Sequence, residues 1–266
     1  MEQRDTGRIC DLFDRIAPYY DSMNDALSLG MHRHWRREAT RRLEIHPQHR
    51  ILDLCCGTGM WTLASAQLAT QGHVVGMDIS PRMLERGRLR LQKSGVAERT
   101  RLMLGDVHRL PFLDRTFHRV TVGFGLRNVK DPIQVVREMI RVACPGGRIA
   151  ILELHNIATT VGWRWLCDPY LRLIPSLGGR LIGQSSPYTW LSRSMQSFPS
   201  AHQFAKRLTR DTCLVGLQTR IWLGGVAALF IGRRPGGTHS HECTEQGNST
   251  DCGLDEVASR TTYDPV

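Results

Sequence analysis

Three acidic residues fall at regular intervals in the first half of the chain, and each closes or follows a short apolar run. Asp53 lies in Ile51–Leu54, Asp78 ends Val74–Asp78, and Asp106 follows Thr100–Leu104. After the first run comes Gly57-Thr58-Gly59. Glycines at that place let a backbone pass close to a ligand and turn tightly into a helix. Asp78 stands 21 residues beyond Gly57, where a carboxylate can accept hydrogen bonds from ribose hydroxyls. Asp106, followed by Val107, suits an adenine edge or its exocyclic amine. The chemistry this spacing suggests is the holding of a nucleoside cofactor at the C-terminal ends of consecutive strands, where open α/β sheets bind their ligands.

Such residues need a scaffold, and the rest of the pattern supplies one. Residues 1–45 read as helical, with breaks near Pro18 and Gly30. Strands are expected at Ile51–Leu54, Val74–Asp78, Thr100–Leu104, Arg119–Phe124 and Arg148–Leu154. Helical stretches separate them: Met60–Thr70, Pro81–Lys93 with Ser80 as cap, and Asp131–Val142 with Pro132 in its first turn. That alternation predicts a mostly parallel, doubly wound sheet with helices on both faces. Residues 156–210 break the rhythm and read as an inserted helical segment. Cys213–Trp222 and Val226–Gly232 then form a closing antiparallel hairpin, for seven strands in all. The expected divisions are a helical cap over 1–45, a nucleoside-binding core over 46–155, the insert and closing strands over 156–234, and an acidic, disordered tail over 235–266.

The cofactor can be narrowed. A dinucleotide fingerprint requires GxGxxG, and Gly57-Thr58-Gly59-Met60-Trp61-Thr62 lacks the third glycine. Acid and glycines on strand one, acid on strand two and acid after strand three is the arrangement of class I, Rossmann-like methyltransferases that use S-adenosyl-L-methionine. The candidate cofactor residues are therefore Asp53, Gly57, Thr58, Gly59, Asp78, Asp106 and Val107. Cys55 stands where such methyltransferases usually carry a first glycine.

Composition limits the remaining classes. The 266 residues carry a formal net charge of +10, but 235–266 hold −5 and the body +15, nearly all of it arginine. A basic body suits an anionic partner, and equally a solvated arginine-rich surface. No run of about 18 apolar residues predicts a membrane span, and Met1 to Asp14 lacks the apolar stretch of a secretory signal. Eight scattered cysteines read as reduced thiols of a cytoplasmic protein. His239-Ser-His241-Glu-Cys243 reads as tail rather than metal site, and no metal is expected. Nucleic acid is not an expected partner: no Asn/Asp-Pro-Pro-Tyr/Phe string follows strand four, and no aromatic residues interleave with a basic run.

Further motifs give a resemblance. The run Phe13 to Trp35, with Pro18, Tyr20, Asp21, Asn24, Asp25, Gly30 and His32, resembles the N-terminal signature of the menaquinone/ubiquinone biosynthesis C-methyltransferases. So do Gly123-Phe-Gly-Leu-Arg127-Asn128-Val129, Leu110-Pro-Phe112, Arg137 to Arg148, Ile174-Pro175, Tyr188 to Leu191 and Ser197-Phe-Pro199, over residues 10–233. The resemblance implies C-methylation of a prenylated quinol in menaquinone or ubiquinone biosynthesis, with Thr58, Asp78, Asp106 and Val107 at the cofactor. It implies Tyr20, Asp21, Arg127 and Asn128 near the acceptor as the catalytic set. Arg127 is expected to stabilise phenolate charge, Asn128 to orient the ring, and Tyr20 and Asp21 to close over the site. His155 and Glu153 are candidates for a base and its orienting partner, or for structural groups. Departures at Cys55-Cys56, Glu153-Leu-His155 and Gly216-Leu217 bear on the acceptor, so another small acceptor (a natural-product ring, a sterol or a phospholipid amine) stays open. So does a chain that keeps the fold without the reaction. Trp163 to Ile182 mixes aromatic and basic residues suited to an anionic membrane face, giving an expected peripheral location at the inner side of the cell membrane. A homodimer is left open.

Overall fold

The computed structural model describes residues 6–155 and 186–236. Trp163–Ile182, the tail and its His239–Cys243 string lie outside the described residues. Helices Thr6–Ile16 (α1), Tyr20–Ser28 (α2) and Met31–Arg42 (α3) lead, with a 3-10 turn at Ala17–Tyr19 between the first two. Then follow Ile51–Leu54 (β1), Met60–Leu68 (α4), Val74–Asp78 (β2), Pro81–Lys93 (α5), Thr100–Leu104 (β3), Phe117–Gly123 (β4), Pro132–Val142 (α6) and Ala143–Leu154 (β5). Helices Ser186–Ser197 (α7) and Ala201–Asp211 (α8) precede the closing strands Val215–Trp222 (β6) and Ala227–Arg233 (β7).

The strands form one sheet in the order β3-β2-β1-β4-β5-β7-β6. The first five run parallel, while β7 pairs antiparallel with both β5 and β6. The chain winds outward through β1, β2 and β3, then returns to β4 beside β1. A crevice opens at that reversal. Side-chain alternation divides the core between the two faces. Leu52, Val120, Val122, Ile149, Ile151 and Phe230 pack against α6 and α8. Ala150, Leu152, Leu229 and Ile231 pack with Trp35 and Ala39 of α3, Leu43 just past it and Trp61 of α4. Helix starts follow the expected chemistry: Ser80 caps α5 by accepting from the Met83 amide, and Asp131 caps α6 by accepting from Ile133 and Gln134. At α8 Ser200 and Gln203 complete a capping box.

Several boundaries differ from the sequence reading by a few residues, and two of them have a reason visible in the strand ladder and its exit. β5 starts at Ala143 rather than Arg148, because Ala143 pairs with Phe117 before Pro145-Gly146-Gly147 bulges the ladder and Arg148 pairs with Arg119. β4 ends at Gly123, and Phe124 takes a left-handed turn (φ 60°) that leads the chain out over the strand ends. Among the described residues no helix is long and apolar enough to cross a membrane.

Candidate active site

The crevice beside β1 is a cleft of about 690 Å³, counting the part open to solvent, lined among others by Cys55, Asp78, Val107, Gly125 and Asn128, and roofed by Ile9 and Phe13 of α1. At its nucleoside end the Asp78 carboxylate accepts from the backbone amides of Gly57 (2.8 Å) and Ser80 (3.0 Å). Burial pushes the Asp78 carboxyl above the ordinary range, against the pull of those amides. One side chain thus fixes the glycine loop to the next helix start while facing the cleft. Asp106 is exposed and accepts from the amide and Nδ1 of His108, at 2.9 and 2.6 Å. The His108 Nε2 in turn accepts from the Asp131 amide (3.2 Å). Buried Val107 supplies an apolar wall beside it.

Gly57 and Gly59 both adopt positive φ, as the tight entry to α4 requires. Between them Thr58 is buried and donates to Asp21 Oδ1 (2.7 Å) while accepting from Arg90 Nη1 (2.9 Å). Arg90 also pairs with Asp21 Oδ2. Asp21 is therefore tied to the glycine loop and α5, a latch between cap and core. Asp53 turns instead toward α4 and β4. Its oxygens accept from Thr62 (2.7 Å) and Thr121 (2.8 Å), and burial raises its carboxyl to about 6. Cys55 also takes a left-handed conformation (φ 51°), and Gly125 lies directly against it. A Cβ at Gly125 would fall 2.4 Å from the Cys55 Cβ.

The turn Leu126–Asn128 carries the remaining expected residues. Arg127 is buried; its Nη1 donates to Glu153 Oε1 (2.7 Å) and the Phe124 carbonyl (2.5 Å), and its amide donates to Glu153 Oε2 (3.0 Å). This ion pair staples the turn to β5. Its neighbours Gly125 and Asn128 line the cleft, and the Asn128 Oδ1 accepts from Trp190 Nε1 of α7 (3.2 Å). Tyr20 lines the same cleft from the cap. His155 is fully buried away from it, against Phe198, Phe204 and Phe230. Its Nδ1 lies 2.9 Å from the Pro199 carbonyl, and burial lowers its proton affinity. Among the described residues nothing links His155 to the cleft, so the base role considered for it finds no support there.

Sequence reasoning missed a relay in the cap. Asp25 Oδ1 accepts from His32 Nε2 (2.8 Å), and His32 Nδ1 meets Arg36 Nη1 at 2.5 Å. The Arg36 guanidinium lies over the Phe124 ring, 4.9 Å from its centroid. It opens into an extension of the cleft of about 320 Å³, lined also by Tyr20, Asp53, Gly57 and Thr58. The detectable signal was the spacing of His32 and Arg36, one helical turn apart on α3. A second missed contact joins cap to core: Asp14 accepts from the Ser80 hydroxyl (2.5 Å).

The donor set fits S-adenosyl-L-methionine by its chemistry. Carboxylates stand at one end for a ribose and an adenine amine, a left-handed loop at the middle allows close approach, and a cation stands at the other end. Comparison with known proteins agrees. Residues 1–234 match the model of the ubiE/COQ5 methyltransferase family. A demethylmenaquinone methyltransferase of Bacillus cytotoxicus is 38% identical over 237 residues, covering 88% of this chain and 99% of that protein. One of Anoxybacillus flavithermus is 37% identical over 239 residues, covering 89% and 100%. Among solved structures, a SAM-dependent methyltransferase of Aquifex aeolicus superposes with TM-score 0.53 at 13% identity, over 75% of this chain and 89% of that one. The cyclase SpnF superposes with TM-score 0.58 at 16% identity, over 87% and 97%. These structures share the class I methyltransferase fold, and a cyclase among them shows that the fold alone does not fix the reaction.

Proposed function

The chain belongs to the ubiE/COQ5 methyltransferase family, and we propose that it methylates a ring carbon of a prenylated quinol, converting demethylmenaquinol to menaquinol. The observation that carries this reading is one continuous cleft. It joins the Asp78–Asp106 nucleoside end to a floor made by Gly123–Val129, under a cap that brings in Tyr20. Bound S-adenosyl-L-methionine supplies a methyl group made electrophilic by its positive sulfur. Asp78 accepts from the ribose hydroxyls, and Asp106 with Val107 holds the adenine.

A quinone ring is electron-poor, whereas a quinol ring is electron-rich at the carbon beside each hydroxyl, so the acceptor is the reduced form. A ring carbon–methyl bond forms as the sulfur–methyl bond breaks and the sulfur leaves as a neutral thioether; the proton on that carbon is then released to solvent, which restores aromaticity. Asn128, whose Oδ1 is occupied by Trp190, has its amide NH₂ left to donate to a ring oxygen. Behind it Arg127 stands paired with Glu153, a preorganised dipole rather than a free charge, and Glu153 positions both residues by holding the turn. Tyr20 and the latch at Asp21 keep water out of the closed site. Holding two reactants in line in this way supplies up to about 7–11 kcal/mol of the barrier in favourable cases.

The test is transfer of labelled methyl to chemically reduced demethylmenaquinol and, in parallel, to the demethylated ubiquinol precursor. Transfer to the first is expected, and the ratio sets the preference. No transfer to either, with S-adenosyl-L-methionine still bound, moves the reading to another small acceptor. A prenylated acceptor resides in the bilayer, so this reading includes peripheral contact with an anionic membrane, aided by the basic body. Sedimentation with anionic vesicles at modest salt tests that part, and a chain left in the supernatant with and without acceptor would remove it.

A further inference from the structure

Arg36 has no task in the reaction described above, yet the cap holds its guanidinium with care. Among the described residues it makes no ion pair with a carboxylate; its close polar partner is the Nδ1 of His32. For His32 to accept there, its proton must sit on Nε2, where it donates to Asp25. Asp25 is itself anchored by Arg33, so the relay has a fixed foot. Phe124 covers one face of the guanidinium. The two acids that look toward Arg36 are committed elsewhere: Asp53 to Thr62 and Thr121, Asp21 to Thr58 and Arg90. Arg36 is only partly exposed, and a cation drawn partly out of bulk water without a counter-ion is costly, a cost that an arriving anion offsets.

The extension that Arg36 lines shares Tyr20, Cys55, Gly57 and Gly123 with the main cleft. Asp78 and Asp106 border the main cleft only. A ligand whose ribose lies at Asp78 therefore has its other end beyond the glycine loop, in the extension. The amino-acid end of S-adenosyl-L-methionine carries a carboxylate, and a guanidinium fork matches a carboxylate in plane and spacing. We propose that Arg36 binds the α-carboxylate of the cofactor's amino-acid end, with His32 and Asp25 as the residues that position it. The inference rests on the reading of the cleft as an S-adenosyl-L-methionine site, and it gives Asp25 and His32 of the N-terminal signature, with Arg36 just beyond its end, a role in holding the donor.

The test compares two ligands that differ at that end. S-adenosylhomocysteine has the carboxylate; 5′-methylthioadenosine keeps the adenosine and sulfur but lacks the amino acid. Calorimetric titration of the full chain with each ligand is made for the wild type, Arg36→Met and Arg36→Lys, with thermal melts to show folding. Arg36→Met is expected to weaken S-adenosylhomocysteine about 10- to 100-fold, as for a lost hydrogen bond to a charged group, and to leave methylthioadenosine affinity unchanged. His32→Ala is expected to give a smaller loss with the same selectivity. Equal weakening of both ligands would assign Arg36 a purely structural role, and unchanged S-adenosylhomocysteine affinity would also overturn the proposal. Should Arg36→Met not fold, Arg36→Lys, which keeps the charge but loses the fork, carries the same comparison. A wild type that binds neither ligand defeats the cofactor reading itself, whereas a wild type that binds both without a selective loss in the variants defeats this inference alone.

Discussion

The two ends of the sheet are chemical opposites. Where the parallel strands finish stand Asp53, Asp78, Asp106 and Glu153. Where they begin stand Arg50, Arg99, Arg119 and Arg148, with Arg234 beside them after β7 and a stack of His46, His49 and His118. The arginines serve the helices that return to this end. Arg119 donates to the carbonyls of Leu43 (2.5 Å) and Glu44 (2.7 Å), just past α3, and Arg148 to that of Arg42 (2.6 Å). Arg99 does the same for Ala66 of α4, and Arg234 for Arg141 and Ala143 at the close of α6. Helix C-termini leave carbonyls without partners and carry partial negative charge, so a cation there satisfies both. Part of the basic body is thus internal carpentry. At the opposite end Asp78 and Asp106 face a cleft, where negative charge suits a sulfonium ligand, while Glu153 is taken up by Arg127 and Asp53 by Thr62 and Thr121.

That contrast can be broken from either side. The largest effect is expected from Arg127→Ala, which leaves Glu153 buried without its cation and should cost about 3–5 kcal/mol of stability. Urea unfolding measures that loss, and turnover should fall to background; normal turnover would remove the electrostatic role. Asp53 gives the next effect, through pH. Its folded carboxyl titrates near 6, above the ordinary 3.8. Below pH 3.8 both states are protonated; as pH rises to 6 the unfolded chain ionises first, so stability falls by about 3 kcal/mol and stays lower above it. Asp53→Asn should erase this slope and be more stable than the wild type at pH 7. At the other end burial and neighbouring arginines lower His118 to about 4 and His49 to about 3. Their contribution has the opposite sign: full above pH 6.5 and lost as pH falls through those values. The two ends therefore oppose each other between pH 4 and 6. His118→Gln should flatten the acid limb that Asp53→Asn makes steeper, and parallel curves for the two variants would disprove the opposition.

Asp78→Ala should weaken S-adenosyl-L-methionine on the order of 100-fold, since charged hydrogen bonds to the ribose are lost and the glycine loop is released. Unchanged affinity would remove the ribose assignment. The smallest effect on the ligand is expected from Arg119→Met, which frees carbonyls past α3. It should lower stability by about 2 kcal/mol while leaving the cofactor affinity as it was; a matching loss of affinity would show that the two ends are not separate.

The strands and the acids that close them were legible because a strand end is a local event: an apolar run stops and a glycine or carboxylate follows. Ser80 and Asp131 were legible for the same reason. Asp53 was placed on the right strand, but its neighbours on α4 and β4 decide which way it faces, and those are joined only by the fold. The tie of Asp21 to Arg90 was out of reach of the sequence, because 69 positions separate the two residues. His155 carried a usable signal. It continues the odd-numbered face of β5 with Ile149 and Ile151, the face packed on α6 and α8, so alternation alone pointed it into the core. Arg36 was hidden because nothing in a helix sequence tells that a nearby crevice ends beneath it.

The contact between Cys55 and Gly125 limits how this site can change over generations. One loop carries a side chain where the other has none, and the two share a single space. Gly125→Ala alone would collide with the thiol-bearing carbon. Cys55→Gly alone would relieve a left-handed residue but open a hole in the cleft wall. Made together, the exchange moves the bulk from one loop to the other. The two substitutions are therefore expected to be epistatic, and sister lineages should hold one small residue and one larger at this pair, reached through an intermediate in which both positions are glycine.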